Sequence, residues 1–189
     1  MKKLFITLLM PLVAASAFAV QAQPADSTSE KPFPLFCEIE AGGTSRHHTM
    51  HNLLGDVSLG ARFGRMEVAA VYEHLTGIYK ADGDKRSLES HAIGGAVACQ
   101  LATIKESSLD GEDSGLALRA RFIHSVGNAD WTYSAYEGAA ILSNAIVKNI
   151  NVAVGYRYTK SHTAGLPDHS GFFGSFGFRF LSNEKGCFA

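Results

Sequence analysis

Between residues 35 and 181 the chain alternates bulky apolar side chains with small or charged ones in eight successive segments. A period of two places the two sets on opposite faces of a β-strand, because successive side chains of a strand point to opposite sides. Helix is disfavoured, because glycine recurs inside the segments and costs about 1 kcal/mol relative to alanine in a helix. The segments are 35–44, 53–63, 66–76, 88–103, 116–125, 132–144, 150–159 and 172–181. The sequence therefore predicts an all-β fold of eight strands.

The two faces of these strands differ in charge as well as in size. In the fifth segment, for example, Leu118 and Phe122 lie on the face opposite to Arg121. A wetted face of a soluble barrel would normally be rich in lysine, whereas arginine suits paired charges away from bulk water. We therefore predict a transmembrane barrel in which the apolar face contacts lipid and the charged face fills the lumen with ion pairs. The predicted lumen network is Glu38, Glu40, Asp56, Arg62, Glu67, Glu73, Arg119, Arg121, Glu137, Arg157 and Arg179.

Segment and connection lengths indicate how the strands are joined. Most segments have about the 9 to 11 residues that a tilted strand needs to cross a bilayer. Two connections are short, 64–65 and 145–149; four are mostly longer and polar, 45–52, 77–87, 126–131 and 160–171; and 104–115 is a long exception on the short side. This pattern predicts an antiparallel up-and-down barrel whose four polar connections face the outside of the cell. Aromatic residues near those connections are predicted to form an interfacial girdle: Tyr72, Trp131, Tyr133, Tyr136, Tyr156 and Tyr158.

Residues 1–22 have the composition of a secretory signal peptide. Lys2 and Lys3 precede a short apolar stretch, and small residues permit cleavage after Ala19 or Ala22. The apolar run is shorter than the roughly 20 residues that a membrane-spanning helix needs, so we expect export of the chain rather than anchoring by this segment. The predicted organisation is a signal peptide over 1–22, a flexible lead-in over 23–34, the barrel over 35–181 and a C-terminal tail over 182–189.

The charge balance bears on partners. The chain has 17 basic and 18 acidic residues, a formal net charge of -1, and loss of Lys2 and Lys3 with the leader makes it -3. Because no basic excess exists at either stage, no nucleic-acid partner is expected.

The last segment carries a more specific pattern. Residues 171–180 read GFFGSFGFRF, with alternating aromatic side chains that end in Phe180. Together with the eight-strand pattern, this resembles the small eight-stranded outer-membrane barrels of the OmpA transmembrane-domain and OmpX type, over residues 35–181. The resemblance implies location in the outer membrane, contact with its lipid, and insertion by the machinery that reads the last strand. The chain differs from that family by continuing through 181–189, so either Phe180 or Phe188 ends the signal.

An eight-stranded barrel leaves an interior just wide enough to be filled by side chains. The predicted charges would therefore close the lumen to large solutes. We predict a structural, adhesive or surface-recognition protein whose outer loops meet an extracellular ligand of unknown identity, with no enzymatic activity and no cofactor. A soluble alternative is a lipocalin-like periplasmic binding barrel, because a signal peptide fits that location equally well.

A catalytic alternative comes from residues 121–129, RFIHSVGNA. They resemble the His-x-Ser-Asn element of outer-membrane lipid A deacylases of the PagL type. On this alternative His124, Ser125 and Glu137 would form a Ser-His-Glu set, and the protein would be a membrane-embedded lipid A deacylase-like hydrolase. Adjacent residues of a regular strand point to opposite faces, so His124 and Ser125 would need a bulge to meet.

Histidine and cysteine supply the remaining candidates. His47, His48 and His51 cluster in one predicted outer loop and are candidate metal ligands. That loop lacks cysteine and carboxylate, so solvated loop residues are the preferred interpretation and no metal is expected. The three cysteines leave at least one unpaired, and a Cys37–Cys187 disulfide is conceivable because the first and last strands of a closed barrel are neighbours.

Overall fold

A computed structural model describes residues 34–45, 50–81, 84–105, 107–111, 113–127 and 129–181. The predicted signal peptide, almost all of the lead-in and the C-terminal tail lie outside the described residues. The strands are β1 (Leu35–Thr44), β2 (Met50–Phe63), β3 (Met66–Ala81), β4 (Asp84–Ile104), β5 (Ser114–Ser125), β6 (Tyr133–Ser143), β7 (Ile150–Ser161) and β8 (His169–Leu181).

The eight strands close into a barrel in chain order. Each strand pairs antiparallel with the next one, and β8 pairs back to β1 with Glu38 opposite Arg179. The prediction of an all-β, antiparallel, up-and-down barrel of eight strands is confirmed. Among the described residues, no helix is long and apolar enough to cross a membrane.

We call the end of the barrel that holds 64–65, 105–113 and 144–149 the lower end, and the opposite end the upper end. The lower turns are made by residues that tolerate left-handed backbone. Gly64 has a φ of 62°, and Asn144 and Asn149 have φ values of 51° and 68°. The Asn144 side chain also accepts a hydrogen bond of 2.9 Å from the Asn149 N–H, which closes the β6–β7 turn locally.

The β3–β4 hairpin is longer than predicted. Residues 77–87 were expected to form a loop, but they continue both strands as far as the pair Ala81 and Asp84. The long upper loop predicted over 77–87 is therefore wrong, whereas the 105–113 connection at the lower end is long, as the predicted exception requires. The polar residues of this segment favoured a loop in the sequence analysis. A hairpin can nevertheless extend past the apolar outer band of a barrel, because its backbone hydrogen bonds continue while its side chains become polar.

The two faces of the closed barrel are chemically opposite. Apart from an apolar cluster near the upper end, most inward side chains are charged, polar or small, while every strand also carries large apolar side chains that point outward and are exposed. Exposed fractions reach 52% for Leu118, 60% for Val154 and 63% for Phe176. The facing of β4 and β6 is also defined, with Ser90 of β4 and Glu137 of β6 buried inside.

The interior near the upper end is filled by an apolar cluster, which we call the upper plug: Met50, Leu54, Val71, Leu75, Ala92, Ile123, Trp131, Tyr133 and Ala135. Trp131 and Tyr133 are fully buried and their rings lie 5.1 Å apart. Their predicted place in an exterior girdle is therefore wrong. The odd-numbered positions of β6 face inward, and the Trp131 indole N–H is satisfied inside the fold by the Ser161 hydroxyl at 3.1 Å.

Candidate functional site

Below the upper plug, an ion pair crosses the barrel from β3 to β7. The Arg157 guanidinium donates two hydrogen bonds of 2.6 Å to the Glu73 carboxylate, and both side chains are completely buried. The Tyr133 hydroxyl donates a further bond of 2.5 Å to Glu73, and Glu137 lies 3.5 Å from Arg157. Because β3 and β7 are opposite strands of an eight-membered ring, this pair spans the lumen.

A second ion pair crosses from β1 to β5, at right angles to the first in strand order. Arg119 binds Glu40 through two bonds of 2.6 and 2.9 Å and reaches Glu137 at 3.1 Å. Its neighbour Arg121 joins Asp56 at 2.6 Å and Glu40 at 3.1 Å. The shared carboxylates link the two crossing pairs into one buried network, as buried charges require.

A third cluster lies toward the lower end. Arg179 bridges Glu38 at 2.7 Å and Glu67 at 3.0 Å, and its guanidinium lies 4.5 Å from the centre of the Phe36 ring. Arg62 pairs with Glu67 at 2.5 Å and is the most exposed of these side chains, at 36%.

All eleven residues that the sequence predicts as a lumen network lie on the interior face, and each takes part in at least one ion pair. Two cavities among these side chains have volumes of about 20 Å³ each, enough for about one water molecule. Sequence reasoning missed the neutral partners, such as Ser175, which donates a 2.5 Å bond to Glu40. The alternation of side chains along β6, β7 and β8 places these neutral residues on the inward face, and that alternation was the sequence signal that could have found them. This arrangement braces the barrel and fills its lumen.

The residues of the catalytic alternative are not brought together. The Ser125 hydroxyl points inward and accepts the Tyr133 backbone N–H at 2.8 Å, whereas His124 is exposed on the exterior. Glu137 belongs to the interior network. The register between β4 and β5 is regular beside His124 and Ser125, so no bulge turns the two residues to one side.

His124 instead meets a serine on the next strand. Its Nδ1 lies 2.9 Å from the Ser134 Oγ, which is also 2.8 Å from Nε2 of His162. Sequence reasoning missed Ser134, although a β5–β6 hairpin closed around residues 126–132 places it directly opposite His124. We call Ser134, His124 and His162 the exterior serine cluster.

Other exterior histidines lie on neighbouring strands at the upper end. Nδ1 of His91 is 2.7 Å from the Tyr72 hydroxyl and 3.3 Å from Nδ1 of His74. Of the predicted metal candidates, His51 is in β2 and faces outward, while His47 and His48 lie outside the described residues. Within the described ranges, no group of three or more His, Cys, Asp or Glu side chains is placed to hold a metal ion.

The cysteines occupy exterior positions. Cys37 of β1 lies opposite Phe180, and Cys99 of β4 lies opposite Met66. Both are partly buried, and Cys187 falls in the part of the chain that is not described.

A carboxylate in the last upper loop is fixed beside the exterior serine cluster. Asp168 accepts the Tyr158 hydroxyl and the Ser161 N–H, each at 2.8 Å. The Tyr158 hydrogen bond, followed by the Ser161 N–H, lowers the pKa of Asp168, and the positive charges of Lys160 and His162 act in the same direction. The two hydrogen bonds therefore hold the Asp168 carboxylate against the end of β7.

Comparison with known proteins gives no match: no protein-family model fits the chain, and no curated protein is similar to it in sequence. Function is therefore inferred from the residues of the barrel itself.

Proposed function

We propose that this protein is an outer-membrane β-barrel with a structural, adhesive or surface-recognition role, whose upper connections meet an extracellular partner. The observation that carries the proposal is the inverted distribution of side chains. Exposed large apolar residues come from all eight strands, while buried ion pairs fill the interior. Exposed apolar surface of this extent is costly in water and is typical of contact with lipid.

The lipocalin-like alternative requires the reverse arrangement. A soluble barrel buries its large apolar residues and binds its ligand in an open cup. Here Phe172 and Phe176 are 72% and 63% exposed, whereas Arg157 and Glu73 are completely buried. The upper plug and the ion pairs occupy the upper and middle interior, and the cavity of about 190 Å³ at the lower end is lined mainly by polar residues such as Gln100 and Asn151. This contrast favours the membrane over a soluble compartment.

The last strand supports the same proposal. In β8, Phe172, Phe176 and Phe178 face outward and are exposed, while Ser175 and Arg179 face the lumen. This is the pattern behind the resemblance to the OmpA and OmpX type, for which the barrel-insertion machinery recognises the final strand. We include that family relationship and that partner in the proposal.

Fractionation of cells that express the full chain tests the proposal directly. We expect the protein in the outer-membrane fraction, released only by detergent, and we expect the folded form to migrate differently on a gel before and after boiling. Recovery of folded protein from the periplasm without detergent would overturn the membrane assignment.

A charged residue in the middle of the apolar band gives an energetic test. Val154→Arg is expected to lower the free energy of unfolding in lipid vesicles by about 2 to 4 kcal/mol, because its guanidinium would lie near the bilayer centre. Leu109→Arg is the matched control, since Leu109 is 85% exposed in the lower 105–113 connection and should be nearly neutral. Urea titration of both variants measures the difference. Equal stability of the two would contradict lipid contact at Val154.

A further inference from the structure

The exterior serine cluster has the geometry of an activated nucleophile. The Ser134 Oγ lies within hydrogen-bond distance of two imidazole nitrogens, Nε2 of His162 and Nδ1 of His124. A hydroxyl has a single proton, so one imidazole accepts it and the other donates to the oxygen. A nucleophile with a base in contact, and a third group near the base, is the pattern shared by acyl-transfer sites.

We propose that Ser134 is the nucleophile of an esterase site on the outer surface of the barrel, and that its substrate is a carboxylic ester of a membrane lipid. The lipid nature of the substrate rests on the membrane location proposed above. The site is distinct from the interior network and from the set that pairs His124 with Ser125.

An apolar groove begins directly beneath the cluster. It is an open depression along the exterior of β3 to β7 with a volume of about 840 Å³, and Arg121 and Glu137 of the interior network also contribute to its lining. Small residues form its floor and aromatic residues its upper walls: Gly95, Ala120, Gly138, Phe122, Tyr136 and Tyr158. The occupant that this proposal assigns to the groove is an acyl chain, because its exposed lining is largely apolar.

The position of the groove relative to Ser134 follows from the alternation of side chains, because residues two apart on a strand lie on the same face. Tyr136 lies two residues from Ser134 on the same face of β6, and Phe122 lies two residues from His124 on β5. An acyl chain in the groove therefore places its ester carbonyl at the upper end, next to the Ser134 hydroxyl. A lipid held in a bilayer has this orientation, with its chain below and its ester at the interface.

Two charged residues complete the cluster. Asp168 accepts hydrogen bonds from the Tyr158 hydroxyl and from the N–H of Ser161, the residue next to His162, and so places a carboxylate in the same connection as this base. On the other side, Lys160 is the cross-strand partner of Ser134 and is exposed on the same exterior face.

Water is the only reactant that the reaction needs besides the ester. The Ser134 Oγ attacks the ester carbonyl and its proton passes to Nε2 of His162. The carbon–oxygen bond to the alcohol breaks, and His162 returns the proton to the departing alkoxide. Water then attacks the acyl-serine, with His162 accepting and returning its proton, which releases the fatty acid and restores Ser134.

Labelling with a fluorophosphonate probe tests the nucleophile in the folded, detergent-solubilised full chain. Peptide mapping by mass spectrometry is expected to find the label on Ser134 and to find none in Ser134→Ala. His162→Ala is expected to slow labelling by about 10²-fold to 10⁴-fold. Ser125→Ala and the exterior control Ser170→Ala should label like the parent chain. Absence of label from the folded parent chain, or equal labelling of Ser134→Ala, would overturn the site.

Hydrolysis of nitrophenyl esters of short and long acyl chains tests the groove. A side chain at Gly138 meets open space, since no atom lies within 4 Å of the position of its Cβ, so Gly138→Leu fills the groove without a clash. The expected result is a larger loss of kcat/KM for the long-chain ester than for the short one. An equal loss for both would contradict the groove as the acyl-chain site.

The gel-shift and fractionation measurements on the same preparations separate the two proposals. Membrane-embedded protein without Ser134 labelling overturns the esterase site alone. Labelled protein that is soluble without detergent overturns the membrane location and, with it, the lipid substrate.

Discussion

Replacement of Arg157 by methionine is expected to lower the free energy of unfolding by about 3 to 5 kcal/mol. The substitution keeps most of the side-chain volume but leaves Glu73 without its charged partner, in a position that is completely buried. It also removes one of the cations near Glu137. Urea titration of the folded barrel in lipid vesicles, read from the shift between folded and unfolded gel mobility, measures the loss.

Two further variants separate the buried charge from a general effect of removing arginine. Arg62→Met is the matched control, because Arg62 is 36% exposed and its partner Glu67 keeps Arg179. Its expected cost is below about 1 kcal/mol. The double variant Glu73→Leu with Arg157→Met removes both buried charges and should recover most of the stability that Arg157→Met loses. A double variant as unstable as the single one would contradict this account.

Trp131→Ala is expected to lower the free energy of unfolding by about 3 to 5 kcal/mol, the usual cost of deleting a large buried aromatic side chain. Trp131 is fully buried, packs against Tyr133 and donates its indole N–H to Ser161. Because it is the only tryptophan of the chain, its fluorescence reports its surroundings in the parent protein. Titration with urea measures the loss of stability, and quenching by iodide should be weak before unfolding.

The exterior aromatic residue Tyr136 provides the comparison. It is 53% exposed, so Tyr136→Ala leaves the upper plug intact and should cost clearly less than Trp131→Ala. Trp131→Phe should fall between them, since it keeps the ring packing but loses the hydrogen bond to Ser161. Strong quenching of the parent fluorescence by iodide would contradict burial of Trp131 in the upper plug.

The alternation of side chains along each strand made most of the architecture predictable. The alternation gave the number of strands, and the balance of arginine and carboxylates on one face anticipated which side chains share the interior. The alternation did not show which face of β4 or β6 points inward, because both faces of these strands are rich in Ala and Gly. Only the closed barrel defines the inward face of these two strands. It also failed for Trp131, because an aromatic residue near a strand end suits an interface or a plug equally well, and only packing decides between them.

The exterior serine cluster was out of reach for another reason. Reading along the chain offered His124 with its neighbour Ser125 only as a catalytic alternative, because motif reasoning depends on residues that are close in sequence. In a sheet the relevant neighbour of His124 is its cross-strand partner, Ser134. Finding it requires the hairpin register, which depends on how the 126–132 connection closes. His162 directly follows Ser161, the last residue of β7, so its contact with Ser134 depends on the β6–β7 register as well as on the β5–β6 register.

The two crossing ion pairs have a consequence for how the barrel assembles. Glu40 and Arg119 are 79 residues apart in the chain, and Glu73 and Arg157 are 84 apart. The β5–β6 and β6–β7 hairpins alone bring Arg119, Arg121 and Arg157 only to Glu137, the single carboxylate of β6, so a partly assembled barrel still carries unpaired charges that resist transfer out of water. Only when β8 reaches β1 do opposite walls face each other at bonding distance. For the outer-membrane location proposed above, we therefore expect incomplete assemblies to stay at the aqueous surface and entry into the bilayer to be an all-or-none event.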